Sequence, residues 1–347
     1  MIKTLFKKTR TAYTSDQRLI CPLMGFPGLN LVNSTIKLAQ QNYGEHYKVL
    51  HSLVTKFQPD IIFPLMDLSV EANALGTYTV FPKNDTPTVL KDHFDIADLT
   101  MQKQINIMYD TRLLGYVETV RLANLNFSQE IMRGAYVTGP YSLAGLIMGA
   151  NEAAIAAIME PEILLEMCEF AIERIQEYIR LLTGAGAQVI CILEPTAVML
   201  GPDEFEKFSS SFIKHIVNNY RYSNVSIIYH TCGNTMHLIE KMKESQVDGI
   251  SLDSPKVGVS LPEVARILKN DTLLLGNIDP TGTILNGEPD AVKKEVRDLL
   301  QSMDFYPNFI LSTGCDLPQE VSIENINAFM ETGRQYRIGK DTKQVLS

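Results

Sequence analysis

The sequence predicts an α/β protein of the (β/α)8 TIM-barrel class, and three observations carry that prediction. Short apolar runs recur at 18–25, 60–67, 135–140, 187–195, 225–231, 247–253, 272–279 and 308–314. Each is rich in β-branched or other apolar residues and ends in a turn residue, as a parallel strand buried on both faces should. Amphipathic helical sequence separates the runs. The chemically distinctive side chains sit at the C-terminal ends of the runs, the face on which barrels build their sites. An open doubly wound sheet is the alternative arrangement.

The helical segments follow in order. Pro161 to Leu182 repeats apolar residues at helical spacing and stops before Gly184-Ala185-Gly186, a C-cap turn. Pro202 to Tyr220 opens with Gly-Pro-Asp, a helix entry, and Leu261–Leu268, Asp290–Leu300 and Ile323–Thr332 are three further helices. The stretches 29–57 and 95–123 are long for simple crossovers and are expected to be helical elaborations over the barrel mouth. Residues 1–347 then form a single barrel domain.

Composition narrows the function. Hydrophobic residues make up 45% and charged residues 20% of the 347-residue chain, enough for a substantial core and unlike a disordered acidic chain. Lys plus Arg number 31 against 40 Asp plus Glu, a net charge of −9, which argues against sequence-independent nucleic-acid binding, since that needs a basic face. Lys3, Lys7, Lys8 and Arg10 are followed by no apolar block, so no secretory signal is expected. The most apolar stretch, Val137 to Met159, is interrupted by Gly139-Pro140, Asn151 and Glu152 and does not read as a membrane span. The five cysteines show no disulfide-type spacing. Reduced thiols in the cytoplasm are expected, some of them free to bind metal. Neither GxGxxG nor GxxxxGK[ST] occurs.

The strand ends hold the candidate site. Asp67 closes the second run, Glu194 the fourth, His230 the fifth, Asp253 the sixth, and Asn277 with Asp279 the seventh; Cys232 and Cys315 lie just past the fifth and eighth. Wet strand ends account for Asp and Asn, but poorly for His-X-Cys and a further Cys. In extended chain, the side chains of His230 and Cys232 point the same way. Cys315 is the remaining cysteine placed to join them over the barrel axis. Three N/S ligands with one open position form the pattern of a catalytic zinc; an unpaired histidine with two buried thiols is the bland alternative. Glu194 shares strand parity with Ile190 and Ile192 and is a candidate catalytic acid that could also bind a cation, complete the zinc shell or move protons; an exposed strand-end carboxylate is the bland alternative. Asp253 is a weaker candidate of the same kind. Asp67, four residues before Glu71, is either a substrate contact or a helix N-cap. Cys168 reads as core, Cys191 as facing the helices, Cys21 as facing either way, and His237 as solvated. His46 and His51 fall in a polar helical region.

Gly139-Pro140-Tyr141-Ser142-Leu143-Ala144 and Gly276-Asn277-Ile278-Asp279-Pro280 resemble motifs of the uroporphyrinogen decarboxylase superfamily, over about residues 60–333. Within it, His230-Thr231-Cys232 with distal Cys315 resembles the zinc signature of corrinoid-dependent methyltransferases, including the methylcobamide:coenzyme M branch. Asp60 to Ala72 is similar to that branch too. The resemblance implies a (β/α)8 barrel, zinc held by His230, Cys232 and Cys315, and Tyr141 and Asn277 among the substrate contacts. It further implies a corrinoid carried by a separate partner protein and a methyl group moved to a thiol such as coenzyme M. An O-demethylase and a methyltransferase to tetrahydrofolate remain open alternatives. Decarboxylases of the superfamily carry an arginine-rich N-terminal segment that grips substrate carboxylates. Here Cys21 to Gly28 contains no arginine, which favours the methyltransferase branch on electrostatic grounds.

Overall fold

The computed structural model describes residues 2–90 and 96–339. Seven parallel strands form one sheet in the order β1 (Ile61–Ile62), β4 (Met132–Thr138), β5 (Val189–Leu193), β6 (Ser226–Thr231), β7 (Gly249–Leu252), β8 (Leu273–Ile278) and β9 (Phe309–Thr313). The first apolar run supplies the eighth stave. Leu311 donates its N–H to Leu19 O at 3.0 Å, Cys21 donates to Leu311 O at 2.8 Å, and Asp60 donates to Ile20 O at 3.0 Å. The run around Ile20 therefore bridges β9 to β1 and closes the barrel. It makes only an isolated bridge, and β1 is only two residues long. Pro22 and Pro64 lack the N–H that would extend either ladder.

A short antiparallel hairpin, β2 (Thr79–Val80) with β3 (Thr88–Val89), was not expected from the sequence. It lies on the connection after β1. The helices Tyr43–Phe57 and Thr111–Asn126 correct the expected elaborations. They are ordinary crossovers of the outer ring, packed against each other, with Tyr43–Phe57 also against the last helix, Ile323–Gln335. The additions at the mouth are the shorter segments Gly28–Val32, Ile36–Gln41, Ile96–Gln102 and Ile107–Tyr109; Asp95, where the second expected elaboration begins, lies outside the described residues.

Strand parity sorts the side chains into two cores. Cys21, Phe63, Met132, Tyr136, Cys191, Leu193, Ile228, Leu275 and Ile310 fill the barrel interior. Ile190, Ile192, Tyr229, Leu252, Leu274 and Phe309 face the helices. Cys191 thus points inward, the opposite of the expectation, and Glu194 shares the outward parity of Ile190 and Ile192. The cationic N-terminal helix Thr4–Thr14 plugs the barrel floor. Leu5 joins the interior cluster, Lys3 pairs with Asp248 at 2.7 Å, and Arg10 donates to Asn270 O at 2.9 Å. The apolar stretch 137–159 folds into strand and two short helices, Pro140–Met148 and Ala150–Met159, bent by 110° at Gly149. Among the described residues no single helix is long and apolar enough to cross a membrane.

Candidate metal centre

His230 lies on the inward face one residue before the end of β6, and Cys232 follows where the chain leaves the strand. Cys315 stands on the loop after β9. Across the mouth, the Cys232 and Cys315 Sγ atoms lie 3.7 Å apart, and Cys232 Sγ lies 3.3 Å from His230 Nε2. All three ligand atoms are within 4.8 Å of one another. A tetrahedral zinc with bonds of about 2.3 Å to sulfur and 2.0–2.1 Å to nitrogen has S···S and N···S edges of roughly 3.8 and 3.5 Å. The residues therefore fit zinc in donor type and spacing. The 3.7 Å separation is far beyond a disulfide bond, and both thiols are free. Hydrogen bonding to Cys232 and then burial hold the Cys315 thiol well above its ordinary pKa.

The neighbouring strands orient these donors. His230 Nδ1 lies 3.0 Å from Ser251 Oγ on β7, so Nε2 is the nitrogen turned to the thiols. Asp253, just after β7, accepts the Gly233 N–H at 2.8 Å and the Ser254 N–H at 2.6 Å. Its carboxylate therefore shapes the turn that presents Cys232. Asn277 is buried and donates through Nδ2 to Asp253 O at 2.9 Å. Asp316, beside Cys315, accepts N–H bonds from Gly25 and Met66, both at 3.2 Å; burial pushes its carboxyl up to about 7. It ties the loops after the first two barrel staves to the loop that carries Cys315.

Other candidates lie elsewhere. Glu194 does not face the mouth. Fully buried, its carboxylate accepts N–H bonds from Tyr141 at 3.1 Å and Ser142 at 2.8 Å, capping the helix Pro140–Met148, and a 2.7 Å bond from Ser209 Oγ. Burial raises its pKa. A side chain on Gly139 would sit 2.3 Å from this carboxylate, which explains the glycine of the Gly-Pro motif. Ser209 lies in one wide turn, Glu206–Ser210, inside the predicted 202–220 helix. Tyr141 is buried among the helices, and Asp67 is consumed by its own surroundings. Asp67 accepts from Ser69 N and Oγ at 2.9 and 2.7 Å and from Tyr116 OH at 2.7 Å, and it pairs with Arg112. His46, expected in a polar region, is buried, accepts the Leu65 N–H at 2.9 Å, and is held down at about 3 by burial. Glu71 accepts from Thr138 N and Oγ1, and burial lifts it to about 7. Cys168 is core, as expected, while His237 is exposed near Leu200 O.

Sequence reasoning missed Ser251, Asp316 and Ser209. Ser251 and Asp316 were findable: Ser251 shares the inward parity of the sixth run, and Asp316 adjoins a candidate ligand. Ser209 carried no signal, because only the wide turn aims it at Glu194.

The uroporphyrinogen decarboxylase family model matches residues 35–336. The chain belongs to the uroporphyrinogen decarboxylase family. Among curated members it is 26% identical over 277 residues to the methylcobamide:CoM methyltransferase MtbA of Methanosarcina mazei, covering 78% of each chain. It is 23% identical over 285 residues to a methylated-thiol–coenzyme M methyltransferase of the same organism, covering 78% of this chain and 71% of the other. It is also 23% identical to the uroporphyrinogen decarboxylase of Prochlorococcus marinus strain MIT 9312, over 80% of each chain. In fold, a methyltransferase from Methanosarcina mazei superposes with a TM-score of 0.84 at 20% identity, covering 96% of this chain and 98% of the other.

Proposed function

We propose that this family member is a zinc-dependent methyltransferase. It would move a methyl group between a methyl-corrinoid carried by a partner protein and an acceptor thiol such as coenzyme M. The convergence of His230 Nε2, Cys232 Sγ and Cys315 Sγ at the C-terminal end of the barrel carries this reading, and the similarity to two coenzyme M methyltransferases supports it.

His230, Cys232 and Cys315 would hold zinc. Bound there, zinc supplies a Lewis acid that keeps an acceptor thiol deprotonated at neutral pH. Ser251 fixes the imidazole, and Asp253 fixes the turn after Cys232. The interior wall of Phe63, Leu193, Ile228 and Leu275 keeps water from the sulfur. A methyl-corrinoid presented at the mouth would supply the methyl group to that sulfur and would keep the electron pair of the broken carbon–cobalt bond. The partner would dock over the mouth. Connections leaving strand ends expose Tyr78, Tyr109, Ile158, Met159 and Met199, an apolar rim suited to a protein face. The free thiols need a reducing compartment, so we place the reaction in the cytoplasm.

The test is methyl transfer from free methylcob(III)alamin to 2-mercaptoethanesulfonate by zinc-loaded protein. Formation of the methyl thioether is expected, and its absence with zinc, methylcob(III)alamin and the thiol all supplied would refute the reading. Uroporphyrinogen should not be decarboxylated: Cys21 to Gly28, where the first stave leads to the mouth, contains no arginine to grip its carboxylates.

A further inference from the structure

Tyr136 stands on the inward face of β4, paired in register with Cys191 of β5, which in turn pairs with Ile228 of β6. That row lies one pleat below the row of Leu193, His230 and Ser251. The Tyr136 ring stacks on Phe63 with centroids 4.8 Å apart and planes 21° from parallel. Gly134 makes the stack possible, because a Cβ there would sit 2.4 Å from the Phe63 ring. The phenol is thus held rigidly in the throat of the barrel. Asp316 and the thiols of Cys21, Cys191 and Cys315 are the titratable neighbours that reach it, and burial holds it well above its ordinary pKa, so it remains a donor at neutral pH.

Its hydroxyl oxygen is buried with no hydrogen-bond partner among the described residues. A buried donor without a partner destabilises a fold, and phenylalanine would stack on Phe63 equally well without that penalty. The other polar side chains on this inward face near the metal ligands are committed, and Ser226, whose hydroxyl also lacks a partner among the described residues, sits at the opposite end of β6 beside Lys3 and Phe6 at the barrel floor. Ser251 meets His230, Thr138 meets Glu71, and Ser312 donates to Cys21 O at 2.6 Å. An anionic group entering the throat beside the metal ligands would find apolar walls and, at that end of the barrel, the uncommitted Tyr136 hydroxyl.

We propose that Tyr136 is the specificity-determining hydrogen-bond donor of the site, its hydroxyl donating to the sulfur of a thiol seated against His230, Cys232 and Cys315. The proposal rests on the methyltransferase reading above. It assigns the phenol an opposite sign in two measurements. The hydroxyl weakens the thiol-free fold and strengthens the thiol complex.

The experiment compares zinc-loaded wild type with Tyr136→Phe, titrating 2-mercaptoethanesulfonate and 2-mercaptoethanol by calorimetry and recording thermal unfolding without thiol. The variant should keep its zinc, melt roughly 1–4 °C higher, and bind both thiols about 10–100-fold more weakly. Unchanged thiol affinity would overturn the proposal. So would a loss confined to the sulfonate, which would put the contact at the far end of that molecule. A lower melting temperature together with weaker thiol binding would reduce Tyr136 to a structural role. Wild-type protein that binds neither thiol would overturn the methyltransferase reading itself, and this proposal with it.

Discussion

His230 Nδ1 and Ser251 Oγ meet at 3.0 Å across adjacent strands, and that contact decides which imidazole nitrogen faces the two thiols. With Nδ1–H donating to the hydroxyl, Nε2 presents its lone pair to the metal position. Ser251→Ala frees the ring to rotate or change tautomer. Zinc affinity should fall about 10–100-fold, measured by competition with a chromogenic chelator, while the unfolding transition of the metal-free protein shifts little. Unaltered affinity would show that packing alone orients His230.

Cys315→Ser removes a soft donor from a partly buried loop position and leaves the strands untouched. Wild-type protein should carry about one zinc per chain. The variant should carry much less and retain its far-ultraviolet circular dichroism, because the side chain lies outside both hydrophobic cores.

Glu194 offers the converse case. Its carboxylate satisfies two helix N-terminal N–H groups and the Ser209 hydroxyl in a fully buried site. Glu194→Ala strands all three donors. Unfolding free energy should drop by at least about 3 kcal/mol, with zinc content per folded molecule unchanged. A variant of wild-type stability but lost activity would instead restore Glu194 to a direct chemical role.

His46 and Glu71 set opposing pH dependences. The His46 pKa is depressed to about 3, so its contribution is fully present above the unfolded value of 6.5 and is lost as pH falls toward 3. Glu71 is raised from 4.5 to about 7, so its contribution is fully present below 4.5 and is lost as pH rises through 7. Each slope is about 1.4 kcal/mol per pH unit at most, and the two oppose each other between 4.5 and 6.5. Denaturant titrations should show His46→Gln becoming more stable relative to wild type as pH falls below 6.5. Glu71→Gln should gain relative to wild type as pH rises from 4.5 to 7. Parallel curves for either variant would contradict its buried titration.

Thiol binding should release a proton. A free thiol has a pKa near 8.5 and is mostly protonated at pH 7, whereas the site takes it as thiolate. Calorimetry in two buffers of different ionisation enthalpy should therefore give about one proton released per thiol at pH 7, and fewer above pH 8.5. Zinc-dependent thiol binding without release would exclude a thiolate acceptor, and tight binding of a methoxyarene or a folate with no thiol binding would favour the other methyl-transfer chemistries.

The sequence by itself determined the eight barrel staves, because strands buried on both faces must be continuously apolar, and it located the ligand-bearing strand ends, because His-X-Cys is a rare pairing at such a position. It determined the parity of Glu194 and Cys191 relative to each other, since side chains alternate along a strand. Only the tertiary structure decided which parity faced inward. Both cores of a barrel are apolar, so hydrophobicity cannot distinguish them, and Glu194 fell to the helix side, where the helix after β4 offered its N–H groups. The long segments 29–57 and 95–123 read as cover for the mouth, yet their main helices close the outer ring, a choice made by packing partners far away in sequence. The approach of Cys315 to Cys232 within 3.7 Å likewise depends on the barrel closing through the run around Ile20. Spacing along the chain names the donors, but the curvature of the sheet brings them together.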